Sequence, residues 1–169
     1  MAASVSVDWA QAPATTSAQA ASAPQATGAL SSRGLGAIRL GMSAREVRTA
    51  FRSPLKVQES GPDGCLTLAS STGDISFVLQ DDKLRLIQVE APGVATRSGL
   101  AVGMALERVK QALGSELVIG PNFYDDSTTE AIVWEADHGH GVRFTARAGR
   151  VTAITAGDQA LEWVEGCGV

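Results

Sequence analysis

The chain has 169 residues, a formal net charge of -4 and a pI near 5.1, and 44% of its residues are hydrophobic. This length predicts one domain of ordinary size or two very small ones. The hydrophobic content is sufficient for a core, which excludes a wholly disordered chain. Because its net charge is negative, the chain lacks the positive surface that nucleic-acid binding needs, and we expect no nucleic-acid partner. No apolar run is long enough for a transmembrane segment.

The first 31 residues differ in composition from the rest of the chain. Ala, Ser, Thr, Gln and Pro fill 23 of the first 30 positions, and Asp8 is the one charged residue among them. A segment so poor in large apolar side chains does not bury enough surface to offset the entropy cost of ordering it. The composition therefore predicts a disordered tether over residues 1–31.

The start of the tether bears on where the protein acts. Residues 1–4 show neither the positively charged region nor the apolar stretch of a secretory signal. One interpretation is a mature exported chain with an added initiating methionine, and the alternative is a cytoplasmic protein with a ragged terminus. The tether resembles the segments that follow the lipid-bearing cysteine of bacterial lipoproteins, which leaves a lipid anchor upstream as an open expectation.

The sequence contains two cysteines, Cys65 and Cys167. They do not form a C-x-x-C motif, which removes the signature of zinc ribbons and thioredoxin-like proteins. In an exported chain an even number of cysteines favours one disulfide, which would pin the C-terminal tail onto the first half of the fold. Such a bond would close a loop of about 100 residues, worth up to about 4.7 kcal/mol in the chain-entropy model. The alternative is two free thiols.

Two ordered matches indicate an internal repeat. Residues 40–51 and 102–113, which are 62 positions apart (102 − 40), share a Gly-Met pair and a Val five residues after the Met. Residues 83–87 also resemble 150–154, at an offset of 67 (150 − 83). We predict an α+β fold of two tandem repeats, each a short helix followed by a three- to four-stranded antiparallel meander. The predicted repeats span 32–94 and 95–169.

Each predicted helix has recognisable end signals. Ser43 and Glu46 form a capping-box pattern at the start of the first helix, which Pro54 follows. The second helix has Ala105 at the capping position, so we expect its start to be weaker by about 1 kcal/mol. Gly114 is typical of a residue just after a helix end.

Alternating apolar residues after each helix predict antiparallel strands that are buried on one face. Ile75, Phe77 and Leu79 show the period in the first repeat, and Val142, Phe144 and Ala146 show it in the second. The predicted strands cover 66–70, 74–80 and 83–90, then 131–137, 141–147 and 150–156, with a further strand from Leu161 to Val164.

The segment Gly41-Met42-Ser43-Ala44-Arg45-Glu46-Val47, followed by an antiparallel sheet and then repeated, resembles the β-lactamase inhibitory protein fold. Each repeat is also similar to the small lipoprotein of the bacterial outer-membrane β-barrel assembly machinery. The resemblance covers residues 34 to about 167. It implies a non-catalytic, extracytoplasmic module that binds another protein, and no binding residue is carried over from it.

No catalytic motif for a serine hydrolase, a nucleotide-binding loop or a zinc protease occurs in the sequence. His138 and His140 could hold a metal with Asp137, and the alternative is solvated histidines in a turn. Asp125, Asp126 and Glu130 could bind calcium, but a solvated acidic loop is the favoured interpretation because the calcium-loop pattern is absent. We therefore expect no enzyme activity, no cofactor and no metal.

Two surfaces are candidates for partner binding. The first is the loop that carries Phe123, Tyr124, Asp125 and Asp126, because aromatic residues on a loop held by a rigid sheet are typical interface anchors. The alternative is that these aromatic rings fold back over the sheet edge. The second surface is the polar face of the sheet, for which a plain solvated face is the alternative. Its candidate residues are Arg85, Glu135, Arg143 and Arg147.

These observations favour an exported protein-binding module, periplasmic or otherwise extracytoplasmic, such as an inhibitor or immunity-type protein that acts on a cell-envelope enzyme. A structural envelope lipoprotein involved in outer-membrane assembly or maintenance is the alternative. A small metal-dependent hydrolase that uses His138, His140 and Asp137 is a third hypothesis.

Overall fold

A computed structural model describes residues 28–61 and 63–163. The first part of the chain contains β1 (Leu30–Ser31), β2 (Gly34–Leu35), β3 (Ile38–Arg39), α1 (Ala44–Ala50), β4 (Leu55–Ser60), β5 (Cys65–Ser70), β6 (Ile75–Gln80) and β7 (Lys83–Val89). The second part contains α2 (Leu106–Leu113), β8 (Leu117–Pro121), β9 (Thr128–Trp134), β10 (Gly141–Arg147) and β11 (Arg150–Gly157). Two short 3-10 helices cover Gly114–Glu116 and Gln159–Glu162. Neither α-helix in the described residues combines the length and apolar character that crossing a bilayer requires.

Eight strands form one antiparallel sheet in the order β4-β5-β6-β7-β11-β10-β9-β8. The two central strands, β7 and β11, pair from Val89 opposite Ile154 to Leu86 opposite Gly157. The strands β1, β2 and β3 form a second, small sheet. The large sheet therefore has two edges, β4 and β8.

The prediction of an α+β fold built from two tandem helix-and-meander repeats is wrong. The described chain is mostly β, with sheets of eight and three strands and two α-helices of only seven and eight residues. Because β7 pairs with β11, strands from 32–94 and from 95–169 share one sheet and one core. Local helix and turn signals do not report which distant strands pair, and that pairing decides the architecture.

The sheet has two different faces. The inner face packs against α1 and α2 through buried side chains such as Val47, Val109, Phe77 and Phe144. The rings of Phe51 and Phe77 meet edge to face, with centroids 5.2 Å apart. Each fully buried side chain of this size contributes about 1.5–3 kcal/mol. The helices therefore form with the sheet, although each is too short to be stable alone.

The outer face carries a smaller apolar cluster. It contains Cys65, Val78, Leu86, Ala160 and Leu161, with Trp134 and Trp163 packed against it. The second 3-10 helix supplies Leu161, because Asp158 caps that turn and accepts a hydrogen bond from the Ala160 amide at 2.9 Å. The predicted strand from Leu161 to Val164 is therefore wrong over its described residues, and Val164 lies outside them.

The helix-end predictions agree with the structure. The Ser43 hydroxyl accepts a hydrogen bond from the Glu46 amide, and the Glu46 carboxylate accepts one from the Ser43 amide at 2.8 Å, which completes the capping box. Ala105 at the start of α2 provides no side-chain cap. Gly114 ends α2 with a φ of 56°, in the left-handed region where glycine is least strained.

The N-terminal boundary of the fold lies inside the predicted tether. Residues 1–27 are outside the described part of the chain. Leu30 is only 1% exposed, pairs with Leu35 and donates its amide to the Ala95 carbonyl at 2.9 Å. Leu30 and Ser31 therefore belong to the folded part. The composition of residues 1–31 did not reveal this, because the contact depends on a single large apolar residue, Leu30.

Candidate protein-binding site

Exposed large hydrophobic side chains are concentrated at one corner of the sheet. Four of the five in the described residues lie between positions 118 and 124, on the edge strand β8 and in the loop that follows it. We call residues 122–127 the β8–β9 loop. The five residues are Val57, Val118, Ile119, Phe123 and Tyr124.

The aromatic side chains of the β8–β9 loop face solvent. Phe123 is 79% exposed and Tyr124 is 62% exposed. Their rings lie edge to face with centroids 5.0 Å apart and an interplanar angle of 87°. The alternative in which these rings cover the sheet edge is therefore not the one adopted, and the pair presents a preformed apolar surface.

Asp125 holds the loop in shape. Its carboxylate accepts hydrogen bonds from the Ser127 amide at 2.9 Å, the Thr128 hydroxyl at 2.9 Å and the Arg147 guanidinium. The Ser127 hydroxyl also donates to it at 2.5 Å. The Ser127 hydroxyl and then Arg147 hold the pKa of Asp125 well below its usual range. A short chain segment with this many bonds to one carboxylate keeps a defined geometry without burial.

A groove of about 200 Å³ lies beside the loop on the outer face. Ile132 and Arg143 lie opposite each other on β9 and β10 within it. The remaining lining residues come from the loop, from β9 and from the 3-10 helix with the residue after it. They are Asn122, Phe123, Tyr124, Glu130, Leu161, Glu162 and Trp163.

Two charged groups within the groove, those of Arg143 and Glu130, are held by neighbours. Arg143 donates to the Leu161 carbonyl at 2.9 Å and lies 3.9 Å from the Glu130 carboxylate. The side-chain amide nitrogen (Nδ2) of Asn122 donates to the Glu130 carboxylate at 2.8 Å. The Nε of Arg143 is buried and has no hydrogen-bond partner among the described residues. The groove therefore combines aromatic rings with one oriented guanidinium and one oriented carboxylate.

The four residues predicted to share a polar sheet face have different partners in the structure. Arg85 pairs with Asp158, and its guanidinium lies 5.5 Å from the centre of the Trp163 ring. Arg147 forms an ion pair with Asp125 of the β8–β9 loop, and Glu135 forms one with Arg33. Arg143 lines the groove. Sequence alternation does not reveal the loops and turns that supply these partners.

One group of potential metal ligands differs from the predicted one. Glu135, Asp137 and His140 bring one donor atom each within 4.8 Å of one another, and His138 is not among them. His138 lies in a turn with a φ of 52° and is exposed. The predicted use of both histidines is therefore not the arrangement in the structure.

Arg33 supplies the positive charge at this cluster. Its Nε lies 3.0 Å from the Glu135 carboxylate, and its Nη2 lies 3.5 Å from that of Asp137. Arg33 lowers the pKa of Glu135, and the Gly139 amide lowers that of Asp137. These contacts link the turn before β2 to the turn between β9 and β10, and they give the two carboxylates a structural explanation. They do not involve His140, whose Nδ1 is buried and has no hydrogen-bond partner among the described residues.

The acidic residues of the loop region do not converge on one point. Asp125 is engaged by Ser127, Thr128 and Arg147, whereas Glu130 is engaged by Asn122 and Arg143. Asp126 is exposed. Within the described chain, these carboxylates are not grouped as a set of cation ligands.

Cys65 is disulfide-bonded and does not titrate as a thiol. It is 4% exposed, at the start of β5 on the outer face. Cys167, the other cysteine of the sequence, lies outside the described residues. The pairing of the two cysteines stays a prediction.

Several residues of the corner escaped the sequence analysis. Val118 and Ile119 were not singled out because β8 was not predicted as a strand. The five-residue run Leu117–Pro121 has no charged residue and ends in proline, which is a signal for an edge strand. Groove residues from the chain end were also missed, because a strand was predicted there. They are Glu162 and Trp163.

Comparison of the sequence with protein-family models found no match. Comparison with curated proteins found no match either. Among solved structures, the 1.5 Å crystal structure of an extracellular protein containing an SCP domain from Bacillus anthracis str. Ames is similar, with a TM-score of 0.49 and 9% identity. The match covers 71% of this chain and 44% of that chain, so the matched part is less than half of that structure's length. A TM-score below 0.5 at this identity does not show a shared fold.

Proposed function

We propose that the protein is a non-catalytic module that binds another protein through the β8 edge, the β8–β9 loop and the adjacent groove. The observation that carries this proposal is the concentration of exposed large hydrophobic residues between positions 118 and 124. Exposed apolar patches of this kind mark interaction sites when they are contiguous and bordered by polar residues.

The loop suits the role of an interface anchor. Phe123 and Tyr124 offer large rigid surfaces, and aromatic residues of this kind dominate binding energy in many interfaces. Asp125 and Arg147 hold the loop before a partner arrives, so binding loses little conformational entropy. Arg143 and Glu130 in the groove then provide orientation, since their charges are already fixed.

We further propose that the module works outside the cytoplasm, as an inhibitor or immunity-type protein that acts on a cell-envelope enzyme. The disulfide at Cys65 supports an oxidising compartment, because disulfides are rare in the cytosol.

A pull-down from a bacterial envelope extract with matched variants tests the binding surface. The wild type should recover a stoichiometric partner, and the Phe123→Ala/Tyr124→Ala double variant should bind it at least about tenfold more weakly, as loss of an interface hot spot predicts. Val57→Ala is the control, because Val57 is also exposed but lies on the opposite edge strand. Recovery of no partner, or equal binding by the double variant, would contradict the proposal.

A further inference from the structure

The two edges of the large sheet are built differently. β4 carries the charged residues Lys56 and Glu59, and its pairing with β5 is irregular between Val57 and Glu59. Charges and bulges on an edge strand discourage pairing with other chains. β8 has no charged residue, and its register with β9 is regular throughout. The edge at β8 therefore lacks the protection that β4 has.

The hydrogen bonds next to β8 determine which of its main-chain groups point outward. Asn122, just after the strand, donates its amide to the Thr128 carbonyl at 2.9 Å, toward β9. The Leu117 amide instead donates to the Gly114 carbonyl. In an antiparallel pair every second residue bonds to the neighbouring strand. Ile119 therefore directs its N–H and C=O away from β9, to the open side of the sheet.

We propose that the bound protein presents an extended segment that adds to β8 as a ninth strand of the sheet. This inference rests on the proposed function and specifies the form of its partner. The added segment would accept a hydrogen bond from the Ile119 amide. It would donate to the outward carbonyls of Leu117, Ile119 and Pro121. Four main-chain bonds are therefore available to a segment that has its own N–H groups.

A second copy of this chain is a poorer occupant of the same edge. Pro121 has no N–H, and the Leu117 amide is already bonded to Gly114. Each copy would therefore bring one outward donor, that of Ile119, so two copies would form at most two main-chain bonds. A segment of another protein forms up to twice as many, which is why we assign the edge to a different chain.

The side chains around β8 define the chemistry of that segment. Val118 is 67% exposed on the outer face, and Ile119 is 46% exposed on the inner face. Apolar or β-branched residues on both faces of the incoming strand would cover them. Glu116 and Asp126 are exposed near the two ends of β8 and form no ion pair among the described residues. The segment should therefore carry basic residues at its ends.

A synthetic strand tests this without knowledge of the natural partner. The probe is an acetylated and amidated peptide in which Thr and Val alternate between terminal lysines. Amide hydrogen exchange, followed by NMR on the intact protein, reports the state of the Ile119 N–H. With excess peptide, exchange at Ile119 should slow by about fivefold or more, the factor to which one added hydrogen bond of about 1 kcal/mol corresponds. Exchange in β4 should not change.

Two controls separate strand pairing from nonspecific contact. The same peptide with N-methyl groups on two adjacent central residues lacks a donor on each of its edges, and it should give no protection. In the protein, Ile119→Thr keeps the outward donor and should retain the protection of the amide at position 119.

The outcome is distinguishable from that of the pull-down. Unchanged exchange at Ile119 with the unmodified peptide at several millimolar, or equal protection by the methylated peptide, would overturn strand addition. Such a result would leave the loop as the proposed contact if the Phe123→Ala/Tyr124→Ala variant still lost the partner.

Discussion

The guanidinium of Arg147 donates a hydrogen bond to the carboxylate of Asp125, which ties the β8–β9 loop to the far end of β10. The two residues are 22 positions apart in the sequence, so the contact forms only when the strands are in register. The hydroxyl and amide of Ser127 and the hydroxyl of Thr128 at the start of β9 converge on the same carboxylate. The position of the Phe123–Tyr124 pair therefore depends on Arg147, although Arg147 itself need not contact a partner.

Replacement of Asp125 should loosen the loop without unfolding the sheet. Asp125→Asn removes the charge that Arg147 and the Ser127 hydroxyl bind, so we expect faster exchange of the Ser127 amide and severalfold weaker partner binding. Asp126→Asn is the matched control for amide exchange, because Asp126 is exposed and has no ion pair among the described residues. Equal effects of the two variants on amide exchange would show that Asp125 has no special role.

The same carboxylate predicts a pH dependence. The folded protein lowers the pKa of Asp125 below its ordinary value of 3.8, so its contribution to stability is complete above that pH. As the pH falls below 3.8, the unfolded chain binds the proton first and the contribution decreases. The difference in unfolding free energy between wild type and Asp125→Asn should therefore shrink with acidification. Urea unfolding at neutral and acidic pH checks this, and a difference that grows in acid would contradict it.

Local signals in the sequence predicted much of the secondary structure. The capping box of α1, the end of α2 at Gly114 and the strand β10 all follow from short-range patterns. β9 was misplaced because its start depends on the turn at Asp125, and the Glu135 amide bonds to His140 where the strand was expected to continue. The fold class failed for a related reason, since it depends on which distant strands pair.

The candidate site could be predicted only in part. The aromatic loop was found from its composition, since Phe123 and Tyr124 follow a Gly-Pro pair between strands. The groove could not be found, because it combines that loop with β9, β10 and a 3-10 helix from the chain end. The partners of the arginines were equally hidden. Arg143, for example, bonds to a carbonyl 18 residues away in the sequence.

The two helix starts provide a paired test of capping. Ser43→Ala removes the hydroxyl that accepts from the Glu46 amide, and it should lower the free energy of unfolding by about 1 kcal/mol. Ala105→Ser adds a cap to α2, which has none, and it should raise the free energy by up to about 1 kcal/mol. Urea unfolding of both variants measures the changes. A loss of stability in Ala105→Ser would show that its start cannot accept the capping geometry.

The central strand pair depends on a glycine. A Cβ at Gly157 would lie 2.9 Å from the Arg85 carbonyl and would also overlap the side chain of Leu86. Because backbone must shift to relieve this contact, Gly157→Ala should destabilise the protein by about 1–3 kcal/mol. Gly120→Ala on the edge strand is the control, since a Cβ there meets no atom within 4 Å and the change should stay within about 0.5 kcal/mol. Similar unfolding midpoints for the two variants would contradict this account.

Single and double cysteine variants can show whether Cys65 is bonded to Cys167. Cys65 is buried in the outer-face cluster, so a bond from it to Cys167 would hold the C-terminal tail on that face. Cys65→Ala and Cys167→Ala should each lower the free energy of unfolding by about 2–5 kcal/mol, as loss of a native disulfide does in small domains. The double variant should lose little more than either single variant, because the first substitution already removes the bond.

Chemical unfolding under non-reducing conditions measures these changes, and reduction of the wild type should reproduce most of the loss. Mass spectrometry of the unreduced digest should show the peptides of Cys65 and Cys167 joined. Because the sequence has only these two cysteines, a bond within one chain allows no other pairing. Additive losses in the double variant, or a bond that joins two chains through Cys65, would show that the tail is not held in this way.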